Sequence, residues 1–343
     1  MWSPILQMTN FDIPKIKGFT LINNLFMATH YLRCFLIVLF PVFFLVGNSI
    51  ADNQQEEEGP WSYRGLFSQQ LNQISFTNWA RGGEESFAST SLVNLDLDYE
   101  KERIQWESRL KMAYGVIKLE NLPWRKNEDF MHLTSKLGRK ISPKFNTTVL
   151  SEFRSQFDKG FKYPNDSVVV SRFMAPGYLQ LSLGIDYKPL DYLSIFFSPA
   201  SGRLIFVRDQ RLANEGAYGV RPAEYDQEGN LIRVGETRRA EFGTLLNIRL
   251  QKEVLENVQI DSRLSLFNDL TDENRSNRKN TDLDWETGIN VKLSQYITAS
   301  VLVHMIYEHD TPIPVYDEDG MEIGTTRKIQ LKQMFGLGLS YSL

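Results

Sequence analysis

The chain has one cysteine, Cys34, in 343 residues. A single thiol makes no disulfide within the chain and excludes a zinc site built on cysteine. Histidine is nearly as scarce, with four. Basic charge is not in excess, since 38 Lys and Arg stand against 42 Asp and Glu. That balance lacks the electrostatic footprint of nucleic-acid binding. Long apolar runs are missing too. The longest, Cys34 to Val46, has thirteen residues and contains Pro41, against about 20 for a membrane-crossing helix. If this chain enters a membrane, it enters as strands.

Arg33 precedes the apolar run and Ser49-Ile50-Ala51 follows it. A positive flank, a short apolar core and small residues after it predict a secretory signal peptide over residues 1–51, cleaved after Ala51. Met27 is a natural start, because Met27 to Ala51 is a compact signal by itself. Arg33 stands where a lipoprotein signal places a small residue, so no lipid anchor is expected. Loss of this segment removes Cys34 and takes the net charge from −4 to about −6. Residues 52–60 read as a short acidic periplasmic tail.

What the remainder has is a period of two. From Ile329 to Leu343, Ile329, Leu331, Phe335, Leu337, Leu339, Tyr341 and Leu343 take one parity, with Gln333 the polar exception. The other parity is polar or small apart from Met334. Similar alternation marks Val93–Tyr99, Ile104–Tyr114, Leu179–Tyr187, Phe242–Leu250, Val258–Leu266, Leu283–Leu293 and Ile297–Tyr307. Noisier strands are predicted at 65–78, 129–141, 146–162 and 192–208, the last with a bulge or break at Pro199. Short connections alternate with long ones near 79–86, 121–128, 163–176, 209–237, 272–281 and 308–327. The pattern predicts an all-β fold, a transmembrane antiparallel up-and-down β-barrel of about 12 strands with both termini periplasmic. It spans residues 61–343, and its last strand pairs with a first strand that begins near Gly65.

Aromatic residues cluster at both ends of the strands. Tyr99, Trp106, Tyr187, Tyr192, Tyr296 and Tyr341 lie near short turns. Trp79, Trp124, Tyr163, Tyr178, Trp285 and Tyr307 lie near long loops. Two girdles are what a barrel sets at its two interfaces. Two long loops carry similar acidic-Gly turns, around Tyr225–Ile232 and Tyr316–Ile323, and both predict β-hairpins.

Asn78-Trp79-Ala80-Arg81-Gly82-Gly83-Glu84, with Phe67-Ser68-Gln69 before it and Ser135-Lys136-Leu137-Gly138-Arg139-Lys140 after it, resembles an uncharacterised outer-membrane barrel family of Bacteroidota, domain of unknown function 3078. The resemblance extends over roughly 61–343 and implies an outer-membrane barrel with no assigned reaction. Read from the residues themselves, Gly82-Gly83 suits a tight turn. The motif residues Asn78, Trp79, Gly82, Gly83 and Glu84 thus have a structural reading.

Parity turns many charges inward. Arg109, Lys136, Glu152, Arg154, Asp261, Arg263, Glu286, His132 and His304 are the candidate lumen residues, with Lys111, Asp158, Asp186, Asp282 and Asp284 among their neighbours. Both signs occur in near balance, whereas a strongly selective pore favours one. The balance predicts charges paired across a narrow or closed lumen. The expected role is structural or interactive, through the loops at 209–237 and 308–327, with outer-membrane lipid and other envelope proteins as partners. No cofactor, metal or nucleic acid is expected. One alternative is a passive narrow channel for small polar solutes. Another is a lipid-modifying enzyme using His132 or His304, but Ser135 has the outward parity and no His-x-Ser-Asn stretch is present.

Overall fold

The computed structural model describes residues 59–75, 84–120, 122–163, 167–309, 313–317 and 322–342. The predicted leader, most of the acidic tail and the motif residues Asn78, Trp79, Gly82 and Gly83 lie outside the described residues. Among the described residues no helix is long and apolar enough to cross a membrane.

Twelve strands close into an antiparallel barrel. They are β1 (Trp61–Ile74), β2 (Ser86–Lys101), β3 (Ile104–Leu119), β4 (Arg125–Ser142), β5 (Phe145–Ser155), β8 (Gly177–Leu190), β9 (Leu193–Phe206), β12 (Arg238–Leu255), β13 (Val258–Asp269), β14 (Asp282–Lys292), β15 (Ile297–Tyr307) and β18 (Gln330–Ser342). Each pairs with its neighbours along the chain, and β18 returns to β1. The loops carry three small hairpins. These are β6 (Gly160–Phe161) with β7 (Val169–Ser171), β10 (Glu224–Tyr225) with β11 (Leu231–Arg233), and β16 (Ile313–Tyr316) with β17 (Glu322–Thr326). The last two are the hairpins predicted from the acidic-Gly turns. In the first of them the Asp226 carboxylate accepts the backbone N–H groups of Glu228 and Asn230. A short helix, α1 (Gln210–Asn214), sits in the longest connection.

Alternation sets the two faces. Leu137, Leu181, Leu183, Phe197, Phe242, Phe335 and Leu339 are at least half exposed on the outside. Such a belt would be an aggregation liability in water and suits hydrocarbon. At the short-turn end Trp61 packs on Tyr99 and Trp106, and Phe145 stacks on Tyr187. At the long-loop end Phe87 packs edge-on against Trp124. Tyr178 departs from the predicted girdle. It shares the inward parity of Gln180 and Ser182, and the Arg154 guanidinium lies 5.2 Å from its ring centre.

Two further departures have local causes. The fifth strand ends at Ser155, short of 162, so parity no longer turns Asp158 inward. Its backbone N–H instead bonds the Asp129 carboxylate at 2.9 Å, and its own carboxylate accepts from Tyr114 Oη. In β9, one extra residue at Pro199 opposes both neighbouring strands, which is the predicted bulge. Ser198 finishes it, donating to Leu183 O and accepting from the Ala200 N–H. Gly184 opposite is obligatory, since a Cβ there would stand 2.1 Å from Phe197 O. Below the bulge Ser194 and Phe196 face inward; above it Ser201, Arg203 and Ile205 do.

Candidate functional site

The inward rows of β3, β4, β5, β8, β9, β12, β13, β14 and β15 carry several groups of paired charges. One group centres on Asp284 on β14. It takes Arg154 from β5, Arg263 Nη2 from β13 at 3.1 Å and His304 Nε2 from β15 at 3.1 Å. Arg263 also faces Glu152 on β5, with Nη1 at 3.7 Å. Lys111 on β3 reaches Glu286 on β14 at 2.9 Å and Asp261 on β13 at 3.4 Å, and Asp261 receives Arg249 at 2.9 Å. Toward the short turns Arg109 bonds Glu107 at 3.0 Å, and Lys188 holds the same carboxylate at 2.5 Å. Lys136 lies 2.7 Å from Asp186 and 2.7 Å from Ser194 Oγ. Arg109, Lys136, Glu152, Arg154, Asp261, Arg263, Glu286 and His304 make these contacts, whereas Asp158, grouped with them by parity, lies beyond the end of β5.

Several pairs join strands on opposite sides of the ring. In the barrel order β3 and β14 are five strands apart by the shorter way, as are β5 and β14. The inward rows also carry an apolar cluster that parity alone would call unusual for a lumen. Leu150, Phe196, Leu245 and Phe267 are buried there together. Arg203 lies 4.3 Å over the Phe267 ring while it bridges Glu241 and Asp282, the latter at 2.6 Å.

Arg203 was not among the predicted residues because the Pro199 bulge reverses parity between Phe196 and Arg203. A polar anchor on the outward parity was also missed. The Asp129 carboxylate accepts the N–H groups of Phe157 and Asp158 and pairs with Lys126 at 2.6 Å. It ties the loop after β5 to the rim. Asp129 shares the parity of Met131 and Leu133, and its role appears only with the loop after β5 in place.

Over the long-loop end, the connection from β9 to β12 folds into a cap. Val207 continues the inward row of β9, and Leu212, Ala213, Val220 and Ala175 bury themselves against it. Asp209 caps α1 and pairs with Arg172 at 3.0 Å. Tyr218 Oη donates to Val170 O at 2.6 Å, and Arg239 donates to Gly219 O. Burial, with Glu308 nearby, pushes the Tyr218 hydroxyl up to about 12.

His132 does not stand between a nucleophile and a carboxylate as a relay histidine does. Thr134 Oγ1 is 3.2 Å from His132 Nε2, and Glu152 Oε1 lies 3.8 Å from the same nitrogen. A triad sets nucleophile and carboxylate on opposite ring nitrogens. Among the described residues no group of His, Asp, Glu or Cys is arranged to hold a metal ion. Of the motif residues, Glu84 is described, and it is exposed just before β2.

A family model described as "Protein of unknown function (DUF3078)" matches residues 71–161. That stretch includes both quoted motifs, Asn78–Glu84 and Ser135–Lys140, and is narrower than the 61–343 that the resemblance implies. No curated protein matches the chain in sequence. Several solved barrels are similar in outline. An outer membrane channel from Pseudomonas putida F1 is 9% identical, with a TM-score of 0.36 over 85% of this chain and 98% of its own. The translocator domain of autotransporter NalP from Neisseria meningitidis is 9% identical, with a TM-score of 0.34 over 86% and 92%. The beta domain of the Bordetella autotransporter Brka is 13% identical, with a TM-score of 0.29 over 82% and 98%. The closed twelve-stranded order stands on the strand ladder itself.

Proposed function

We propose that this protein is an outer-membrane barrel with a sealed axial lumen, a scaffold whose long loops form its working surface. The observation that carries the reading is the set of ion pairs across the interior, above all Lys111 with Glu286 and Arg154 with Asp284. Water-filled pores keep opposite walls apart; here the walls share hydrogen bonds. The apolar belt, with no membrane-crossing helix among the described residues, supports the location. Export on a leader cleaved after Ala51 and a periplasmic position for both termini belong to the same reading. So does recognition of other envelope proteins by the loops at 209–237 and 308–327. Exposed Tyr225, Leu231, Ile232 and Ile323 on the loop hairpins supply apolar contact area for it.

Planar-bilayer recording of the refolded barrel tests the sealed lumen. The expected result is no steady conductance in salt. A stable open pore in the unaltered protein would overturn the scaffold reading in favour of a passive narrow channel.

A further inference from the structure

The short turns do not carry the same charge all the way round. From β2 to β5 the wall ends in Lys101, Arg103, Arg139 and Lys144, all exposed. The β8–β9 and β12–β13 hairpins end instead in exposed Asp191, Glu253 and Glu256, where Lys252 lies 4.4 Å over the Tyr192 ring. Register sets the basic row on the outside. Lys101 lies opposite Ile104, Ile104 opposite Arg139, and Arg139 opposite Thr147. Ile104 is exposed on the outer belt, so the row shares that face. Two strand spacings put the backbones of Lys101 and Arg139 about 10 Å apart. Arg103 stands in the β2–β3 turn, where its carbonyl accepts the Lys140 N–H. Lys144 stands in the β4–β5 turn, where its carbonyl accepts the Lys188 N–H.

These cations have no protein partner. None of the four makes an ion pair or a side-chain hydrogen bond among the described residues. Of the two carboxylates in the same turns, Glu100 is taken by Lys140, and Glu102 is the other. A single cation at a membrane interface is ordinary; here four stand against one free carboxylate. The apolar surface above them is built to match. Trp106 lies one outward row deeper than Ile104, with Leu137 opposite it, and its indole N–H is given to Ser135 at 2.8 Å. Leu133, Leu137, Ile141 and Phe145 are exposed around it. Lys and Arg lay their stems along such a surface and hold their charge at headgroup level.

We propose that the outer face of β2 to β5 at the short-turn end binds the headgroup of an anionic phospholipid. Arg139 and Lys101 hold its phosphodiester, with the exposed Thr147 hydroxyl beside them, and its acyl chains lie along Trp106, Leu137 and Leu133. A guanidinium takes two phosphate oxygens at once, which suits Arg139 to the central place in the row. A zwitterionic headgroup would bring its own cation into a patch that already has a surplus, so a net negative one is preferred. Each basic residue near an anionic headgroup is worth about fivefold in affinity. With the short turns on the periplasmic side, as proposed above, this is lipid of the inner leaflet. The proposal rests on the membrane location and is independent of the axial seal.

The test is collisional quenching in a Cys34→Ser background. Leu137→Cys, labelled with a small fluorophore, is refolded into vesicles of phosphatidylcholine with a minor share of phosphatidylglycerol. The composition is held constant, and bromine is placed on the chains of either the phosphatidylglycerol or an equal share of the phosphatidylcholine. The label at 137 is expected to be quenched about fivefold more strongly when the bromine is on phosphatidylglycerol. A label at Val301→Cys, outward on β15 and five strands away, is expected to show no preference. Combining Lys101→Gln, Arg103→Gln, Arg139→Gln and Lys144→Gln should erase the preference at 137. Heat-modifiable migration on gels should be unchanged, since these side chains hold nothing in the barrel. Equal quenching by the two lipids at 137, the same preference at 301, or a preference that survives the four substitutions overturns the proposal. If neither lipid quenches at 137, the membrane location itself fails.

Discussion

The two sides of this barrel are built differently. From β3 round to β14 long charged side chains meet across the interior, and neighbouring strands stay paired along most of their length. At the closing seam the pairs of β1 with β18 run only from Leu66 to Gln70, and the inward residues of β18 and β15 beside them, Gly336, Gly338, Ser340, Thr298 and Ser300, are small. The difference is one of support. On the first side the strands are held twice, by their ladders and by the side chains that meet between them. At the seam a short ladder has small side chains behind it. Buried ion pairs add little net stability over an apolar filling, but breaking one leaves its partner uncompensated.

That asymmetry can be broken on purpose. Arg263→Met should have the largest effect, because Glu152 and Asp284 both lose a buried partner; a loss of about 3–5 kcal/mol is expected in urea unfolding from lipid vesicles. On the seam, Gly336→Val would push the Gln70 carboxamide aside. It should cost about 1–3 kcal/mol, as overpacking does. If the seam variant costs more than the Arg263 variant, the contrast between the two sides is wrong. The smallest effect belongs to the cap. Tyr218→Phe removes the bond to Val170 O and should cost about 1 kcal/mol at neutral pH. Because the hydroxyl ionises near 12 in the folded protein and near 10 when exposed, its contribution is full below pH 10 and is lost as pH rises to about 12. A tyrosinate absorbance titration should show one late-ionising group that the Phe variant lacks.

How much of this was legible in the residues follows from periodicity. A period of two reports faces, so the outward belt, the inward candidates and the pairing of the last strand with the first could be read from strands such as Ile104–Tyr114 and Ile329–Leu343. Both loop hairpins were legible through their acidic-Gly turns. Periodicity carries no information across a break. Arg203 was hidden by the bulge at Pro199, and Asp158 was misplaced because β5 ends at Ser155. Nor does parity report partners. Arg263 and Glu286 could be turned inward from the sequence, but which carboxylate meets which cation depends on shear around the closed ring, and no local pattern encodes that. Asp129 shows the opposite limit, a residue on the belt's parity whose purpose is to anchor a loop.

The extra residue in β9 also sets how this chain tolerates change in length. Below Pro199 one parity faces the interior, and above it the other does. Deleting Pro199 would set Ser198 and Ser201 two positions apart, as Gly243 and Leu245 are on β12, and the strand would run on with Arg203 still facing Glu241 and Asp282. Deleting Gly202 instead, with the bulge kept, would turn Arg203 to the outward belt and Leu204 to the charged interior. The bulge is thus a place where β9 can shorten without exchanging its faces, whereas a single deletion above it in the strand exchanges them.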